Sequence, residues 1–235
     1  MKIKMKSVIG SLNKLIKVKR TIYHPSIHHI HKRYGISKRT LLYVKEYGKH
    51  SNVPRTIIME SIKVLLFASL LSSIGGLALE NIKTIFISIM PLIILFPALN
   101  DMIGDYGTII SSRFSTLLYT NKIKDKWYKN IELKKLFLQI LIISTFMAIM
   151  SAALSLLVSY FSNYSLNLEI AYKIFFISII DVILLVVVLF LLAVLVGLYF
   201  YKRNEDPNNF LIPITTSIAD FGNMFLIMFL VLLFF

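Results

Sequence analysis

The chain has 235 residues, 57% of them hydrophobic, with a mean hydropathy of +0.73 and a formal net charge of +14. That apolar balance excludes an ordinary soluble domain and fits a chain that crosses a membrane several times. There is no cysteine, which excludes disulfides, thiolate zinc sites and thiol nucleophiles.

Residues 1–56 form a basic arm with 14 Lys+Arg and one acid, Glu46, so nearly all of the net charge sits there. Beside membrane spans, the positive-inside rule explains such an arm more simply than nucleic-acid binding does. Anionic headgroups are its expected partners. No apolar core with a cleavage site follows the basic start, so no signal peptide is read, and the first span is expected to serve as the targeting signal. Val8, Leu12, Leu15 and Ile16 have helical spacing, consistent with a helix on the inner leaflet. A second short helix is expected over Arg39 to Tyr47. All five histidines lie in the arm. His24 and His28 have the i, i+4 spacing of a metal clamp, but Pro25 lies between them and no acidic or thiol ligand accompanies them. A plain basic segment is the favoured reading.

Five hydrophobic segments follow, at about Ile57 to Leu79, Ile85 to Leu118, Leu136 to Phe161, Ile170 to Tyr201 and Phe210 to Phe235. Each exceeds the ~20 residues a helix needs to cross a bilayer. The second is long enough to require a tilt or kink, for which Pro91 and Pro97 supply a cause. The basic arm, the loop with Lys122, Lys124, Lys126, Lys129, Lys134 and Lys135, and Tyr201-Lys202-Arg203 all fall on one side. The loops at Glu80-Asn81-Ile82-Lys83 and Ser162-Asn163-Tyr164-Ser165 fall on the other. The expected fold is an all-α integral membrane protein with five transmembrane helices, N-in and C-out, after a cytoplasmic arm. The expected domains are 1–56 and 57–235.

Polar residues inside these spans carry the functional signal. On the second span, Asp101, Asp105, Thr108 and Ser112 form one polar stripe, and Gly104, Gly107, Ser111 and Ser115 form an adjacent stripe of small residues. On the fifth, Pro213, Thr216, Asp220 and Asn223 share a face, with Ser217 close by. Pro213 frees a backbone carbonyl about one turn earlier, near Asn209. Asp220 falls roughly 16 Å into its span at the ~1.5 Å helical rise, close to the midplane. A carboxylate there costs roughly 2.5–3.5 kcal/mol on insertion scales, so it is expected to face protein or a water-filled path. Asp181 in the fourth span is either a second pathway group or bonded to a neighbouring Ser or Thr. Glu60 and Lys63 are expected to pair, Arg113 to bond a carboxylate such as Glu60 or snorkel, and Trp127 and Tyr128 to anchor the interface. Four deep acids, Asp101, Asp105, Asp181 and Asp220, face no equally deep base, a field that favours cations.

These residues also carry a resemblance. Phe96-Pro97-Ala98-Leu99, Gly104-Asp105-Tyr106-Gly107 and Ser111-Ser112-Arg113-Phe114-Ser115-Thr116 resemble the second-span signature of MgtE-type magnesium transporters, closest to the archaeal and eukaryotic solute-carrier branch. Asp206-Pro207-Asn208-Asn209, Ile212-Pro213 and Thr215-Thr216-Ser217-Ile218-Ala219-Asp220-Phe221-Gly222 are similar to the family's fifth-span signature, and Glu60-Ser61 to its first-span opening. The resemblance covers residues 57–235. It implies a homodimer whose pore lies between subunits, lined by spans two and five, with Asp220 binding the magnesium. Asp105 stands where many relatives have asparagine, and Asn100 and Asp101 depart from the commoner apolar or glycine residues.

The expected function is a divalent-cation transporter or channel of the cell membrane, most simply for Mg²⁺, and not an enzyme. The ion would be held by Asp220, Asp105, Asn100, Asp101, Thr216, Ser217 and Asn209, with oxygen donors suited to a hard cation. The alternatives are an intramembrane metal-dependent phosphotransferase using Asp101, Asp105 and Arg113, or transport of Mn²⁺, Co²⁺, Ca²⁺ or Zn²⁺ coupled to Na⁺ or H⁺.

Overall fold

The structure is a computed structural model that describes residues 25–36, 40–41, 53–120, 122–123, 127–203 and 206–235. Of residues 25–26, 53, 55–57, 59–61 and 63 it describes the backbone alone. The described residues are all helical, without strands. The helices are α1 (Pro25–Tyr34), α2 (Val53–Asn81), α3 (Lys83–Ser88), α4 (Met90–Tyr119), α5 (Ile131–Phe161), α6 (Leu168–Lys202) and α7 (Pro207–Phe234), with a 3₁₀ turn at Trp127–Lys129. The chain divides into two compact units, Met1–Ile62 and Lys63–Phe235.

In the first unit, α1 begins on Pro25, which fits the first turn because no N–H is needed there. Ile27 and Ile30 share a face and make a small core with Leu41, beside Tyr34 and Ile36. Gly35 ends the helix at a φ of +69°, a left-handed conformation that glycine adopts without a Cβ clash. His31 donates from Nδ1 to the Ile36 carbonyl at 2.6 Å, which ties the chain back onto the helix. His28 and His29 are exposed. The expected helices at Val8–Ile16 and over most of Arg39–Tyr47, and the residues His24, His50, Glu60 and Lys63, lie outside the described residues or side chains.

In the second unit, five helices are long and apolar enough to cross a membrane: Val64–Asn81 within α2, then α4, α5, α6 and α7. Helices α4 and α6 lie side by side, with α5 packed against both and α7 against both. The outward faces are apolar, including Leu66 and Phe67 on α2, Ile142 and Phe146 on α5, Leu195 on α6 and Leu233 on α7. Such a surface is stable only against lipid or another apolar partner. The protein is a multi-pass membrane protein.

The second hydrophobic segment is broken, where the sequence suggests a tilt or kink. α3 stops at Ser88, Ile89 takes a φ of −111° and a ψ of 88°, and α4 restarts at Met90. Pro91 explains this: inside a continuous helix its ring would clash with the carbonyl of Ile87, whereas in a first turn it is tolerated. The other segments keep their expected places but start earlier. Asn130 caps α5 by accepting from the N–H groups of Glu132 and Leu133, and Asp206 caps α7 by accepting from Asn208. Their first turns are too polar to read as membrane spans by hydropathy.

Close helix approach comes from small residues. On α5, Ser144, Ala148, Ala152, Ser155 and Ser159 form the buried edge. The hydroxyls of Ser144, Ser155 and Ser159 donate to carbonyls of their own helix, so no buried donor is stranded. Ser178 of α6 donates to the Ala148 carbonyl at 2.9 Å and fixes that pair of helices. Gly197 of α6 faces Phe114 of α4 so closely that a Cβ there would lie 2.6 Å from the ring.

Candidate cation site

The polar residues of α4 and α7 meet at mid-span. Gly107 lets α7 approach, since a Cβ there would lie 3.3 Å from that of Thr215. Thr215 is fully buried and donates to a main-chain carbonyl, either Leu211 of its own helix at 2.8 Å or Gly107 of α4 at 3.2 Å. Its hydroxyl also pairs with that of Ser111 at 2.9 Å. Gly107 and Ser111, in the middle of the small-residue stripe on α4, therefore receive α7.

Two turns deeper, this contact holds a carboxylate. Asn100 donates from Nδ2 to Asp220 Oδ1 at 3.1 Å, and its own Oδ1 accepts from Asn223 Nδ2 at 2.9 Å. Asn223 is fully buried, whereas Asn100 and Asp220 are partly exposed. The order Asn223, Asn100, Asp220 runs from the packed interior to an open edge. One amide fixes the next, and the second fixes the carboxylate's rotamer. Asp220 Oδ2 is not engaged by this relay, and the residue is partly exposed.

Thr216 is partly exposed and donates to the Ile212 carbonyl at 2.9 Å. Ser217 is buried and donates to the Pro213 carbonyl at 2.6 Å. Both hydroxyl protons are committed to backbone, which leaves their lone pairs as acceptors toward a cation. Asn209 starts the same helix, one turn before Pro213, with its N–H bonded to the Asp206 carbonyl at 3.2 Å. Pro213, four residues on, has no N–H to offer the Asn209 carbonyl, and Asn209 makes further contacts of its own.

Asp101 and Asp105 are exposed on α4 and make no hydrogen bond among the described residues. Thr108 and Ser112 continue that stripe, each donating to a carbonyl of α4 itself. Asp105 and Asp220 are therefore not joined within one chain. Arg113 is exposed as well. Thr215 escaped notice in the sequence because it reads as one more residue of a Thr-Thr-Ser run. Its burial depends on Gly107, which the small-residue stripe marked as a place of close approach without showing which helix would meet it.

A family model described as MgtE, divalent cation transporter, matches residues 96–230, and thus α4 to α7 almost entire. The chain belongs to the MgtE family of divalent cation transporters. The match spans both polar helices and every residue of the Asn100–Asp220–Asn223 relay. MgtE is a transporter family, which removes the phosphotransferase alternative, and this MgtE protein is accordingly a divalent-cation transporter and not an enzyme. No curated protein and no solved structure matches the chain.

Proposed function

We propose that this protein moves Mg²⁺ across the cell membrane through a pore between two copies of the chain, lined by α4 and α7. The observation that carries this reading is the oriented carboxylate of Asp220 at mid-span, held by Asn100 at an edge that one chain leaves open. Asp101 and Asp105 favour the same arrangement. Exposed carboxylates deep in a span are costly against lipid and stable against water or a second subunit. A two-fold partner would place two copies of the acidic stripe around one path.

Mg²⁺ sheds water reluctantly and keeps several waters in an octahedral shell. A pore for it needs few direct ligands and many oxygens at outer-sphere distance. Asp220 from each copy supplies the charge. Asn100, Thr216 and Ser217, with the Asn209 carbonyl, supply neutral oxygens, and Asp101 and Asp105 raise the local cation concentration. The proposed orientation is N-in and C-out, with residues 1–56 as a cytoplasmic arm on anionic lipid and 57–235 as the transport domain. An inside-negative potential would then drive entry, worth about 4.6 kcal/mol for two charges at 100 mV.

The test is a cation panel in proteoliposomes of the purified chain. Mg²⁺ uptake is expected, weakly competed by Ca²⁺, whose larger shell fits a water-retaining site poorly. Uptake of Mn²⁺, Co²⁺ or Zn²⁺ with no uptake of Mg²⁺ overturns the choice of ion.

A further inference from the structure

One ionisable side chain in the transport bundle is unused by the proposed pore. Asp181, in the middle of α6, is fully enclosed, and neither of its carboxyl oxygens has a hydrogen-bond partner. Of the two readings of Asp181, the bond to a neighbouring hydroxyl is not made: Ser178, one turn earlier, spends its proton on the Ala148 carbonyl. Around Asp181 on its own helix, Ile177, Val182 and Leu185 are buried and apolar.

Three helices pack against α6. α5 has no charged residue between Lys135 and its end at Phe161, and Tyr160 is its only titratable group in that stretch. α7 offers Asp220, already held by Asn100. α4 offers exposed Asp101 and Asp105, buried Tyr106 and, further along, exposed Arg113 and Tyr119. The described ion pair on α6 itself, Lys173 with Glu169, lies at the start of the helix.

The position of Asp181 ties it to the pore helix without making it part of the site. Leu185, one turn on, presents the Cδ2 atom that a Cβ at Gly222 would meet at 2.8 Å. Gly222 lies between Asp220 and Asn223. A shift of α6 against this segment of α7 would disturb the Leu185–Gly222 contact, which lies one turn from Asp181 on α6 and two residues from Asp220 on α7.

An isolated buried carboxylate is too costly to persist uncompensated, so it takes a donor or a cation. A metal ion there would need several further oxygens. Within one turn of Asp181 on α6 the one other side-chain oxygen is Ser178 Oγ, and the described residues contain no cluster of three metal-ligating side chains. A proton needs the carboxylate alone.

We infer that Asp181 is a proton-binding site whose loading is linked to movement of the divalent cation along α4 and α7. The carboxylate takes a proton from water when α6 opens it to one side, and returns that proton to water on the other. This rests on the transport reading above.

The test uses proteoliposomes of the full chain with Mg²⁺- and pH-sensitive dyes inside and the membrane potential clamped. In the wild type, Mg²⁺ entry is expected to change lumenal pH. An imposed pH gradient is expected to shift Mg²⁺ accumulation about tenfold per pH unit for one proton per ion. Through Asp181→Asn, Mg²⁺ movement at whatever rate remains is expected to leave lumenal pH unchanged and to ignore the gradient. Infrared difference spectra of wild-type protein should show a protonated carboxyl band that responds to Mg²⁺ and is missing in Asp181→Asn. Should that variant not reach the membrane, the wild-type dye and infrared signals decide. Mg²⁺ entry without a pH change, coupling that survives Asp181→Asn, or no responsive carboxyl band overturns the inference. Absence of any divalent flux in the wild type instead overturns the transport reading on which it rests.

Discussion

Asn100 uses both ends of one amide, donating to Asp220 and accepting from Asn223. It is therefore a positioning residue for the proposed ion ligand. Hydrogen bonds to charged groups are worth about 1.5–3 kcal/mol. Asn100→Ala should lower Mg²⁺ uptake about tenfold or more with little change in the amount inserted, since the site is partly open to solvent. Uptake equal to wild type would contradict the relay. Thr215 is different in kind. Thr215→Val removes the hydroxyl shared by Ser111 and the Gly107 carbonyl, leaving a buried donor without its partner at a cost of about 1–3 kcal/mol. Thermal unfolding in detergent should show that loss, and an unshifted transition would count against the contact. At this scale the sequence was informative about Asp220, because a carboxylate at mid-span is anomalous wherever it occurs. Asn100 was named among the expected ion-holding residues, but its partner 120 residues away was not legible.

The helices were legible as elements because each apolar segment is long enough to span a bilayer. Their ends were less so, because hydropathy stops where the first polar residue begins and a helix does not. α5 runs five residues before its expected start, through Glu132, Lys134 and Lys135, as far as the Asn130 cap. The break at Ile89 was half visible: Pro91 announced a disturbance, while its form depended on whether a first turn could be built around it. Packing between elements depends on a few glycines. At Gly197 a Cβ would meet the Phe114 ring at 2.6 Å and Leu211 at 3.0 Å, with α4, α6 and α7 all involved. Overpacking of this kind costs about 1–3 kcal/mol. Gly197→Ala should lower the detergent melting temperature, whereas Gly104→Ala, with open space around it, should not. Equal effects of the two would contradict the close approach.

For the whole molecule, the central asymmetry is between a closed four-helix packing and one acidic face left open. The four helices bury their apolar contacts and satisfy most of their hydroxyls within one chain. Asp101 and Asp105 do not turn inward. A second copy was suggested in the sequence by family resemblance and in the structure by this exposed stripe. The natural chain has no cysteine, so single cysteines report cleanly. Under oxidant, Asp101→Cys or Asp105→Cys should give a covalent dimer in the membrane, whereas Ile143→Cys, on the outward face of α5, should not. A dimer formed equally at Ile143 would place the interface elsewhere.

The measurement that bears most directly on the account is Mg²⁺ uptake by Asp220→Ala in proteoliposomes, alongside wild-type protein at equal insertion. If the carboxylate held by Asn100 lies on the ion path, uptake falls to the level of empty liposomes while the variant still inserts. Uptake at the wild-type rate would mean that the ion passes elsewhere and that the relay of α4 and α7 serves only to hold the bundle together.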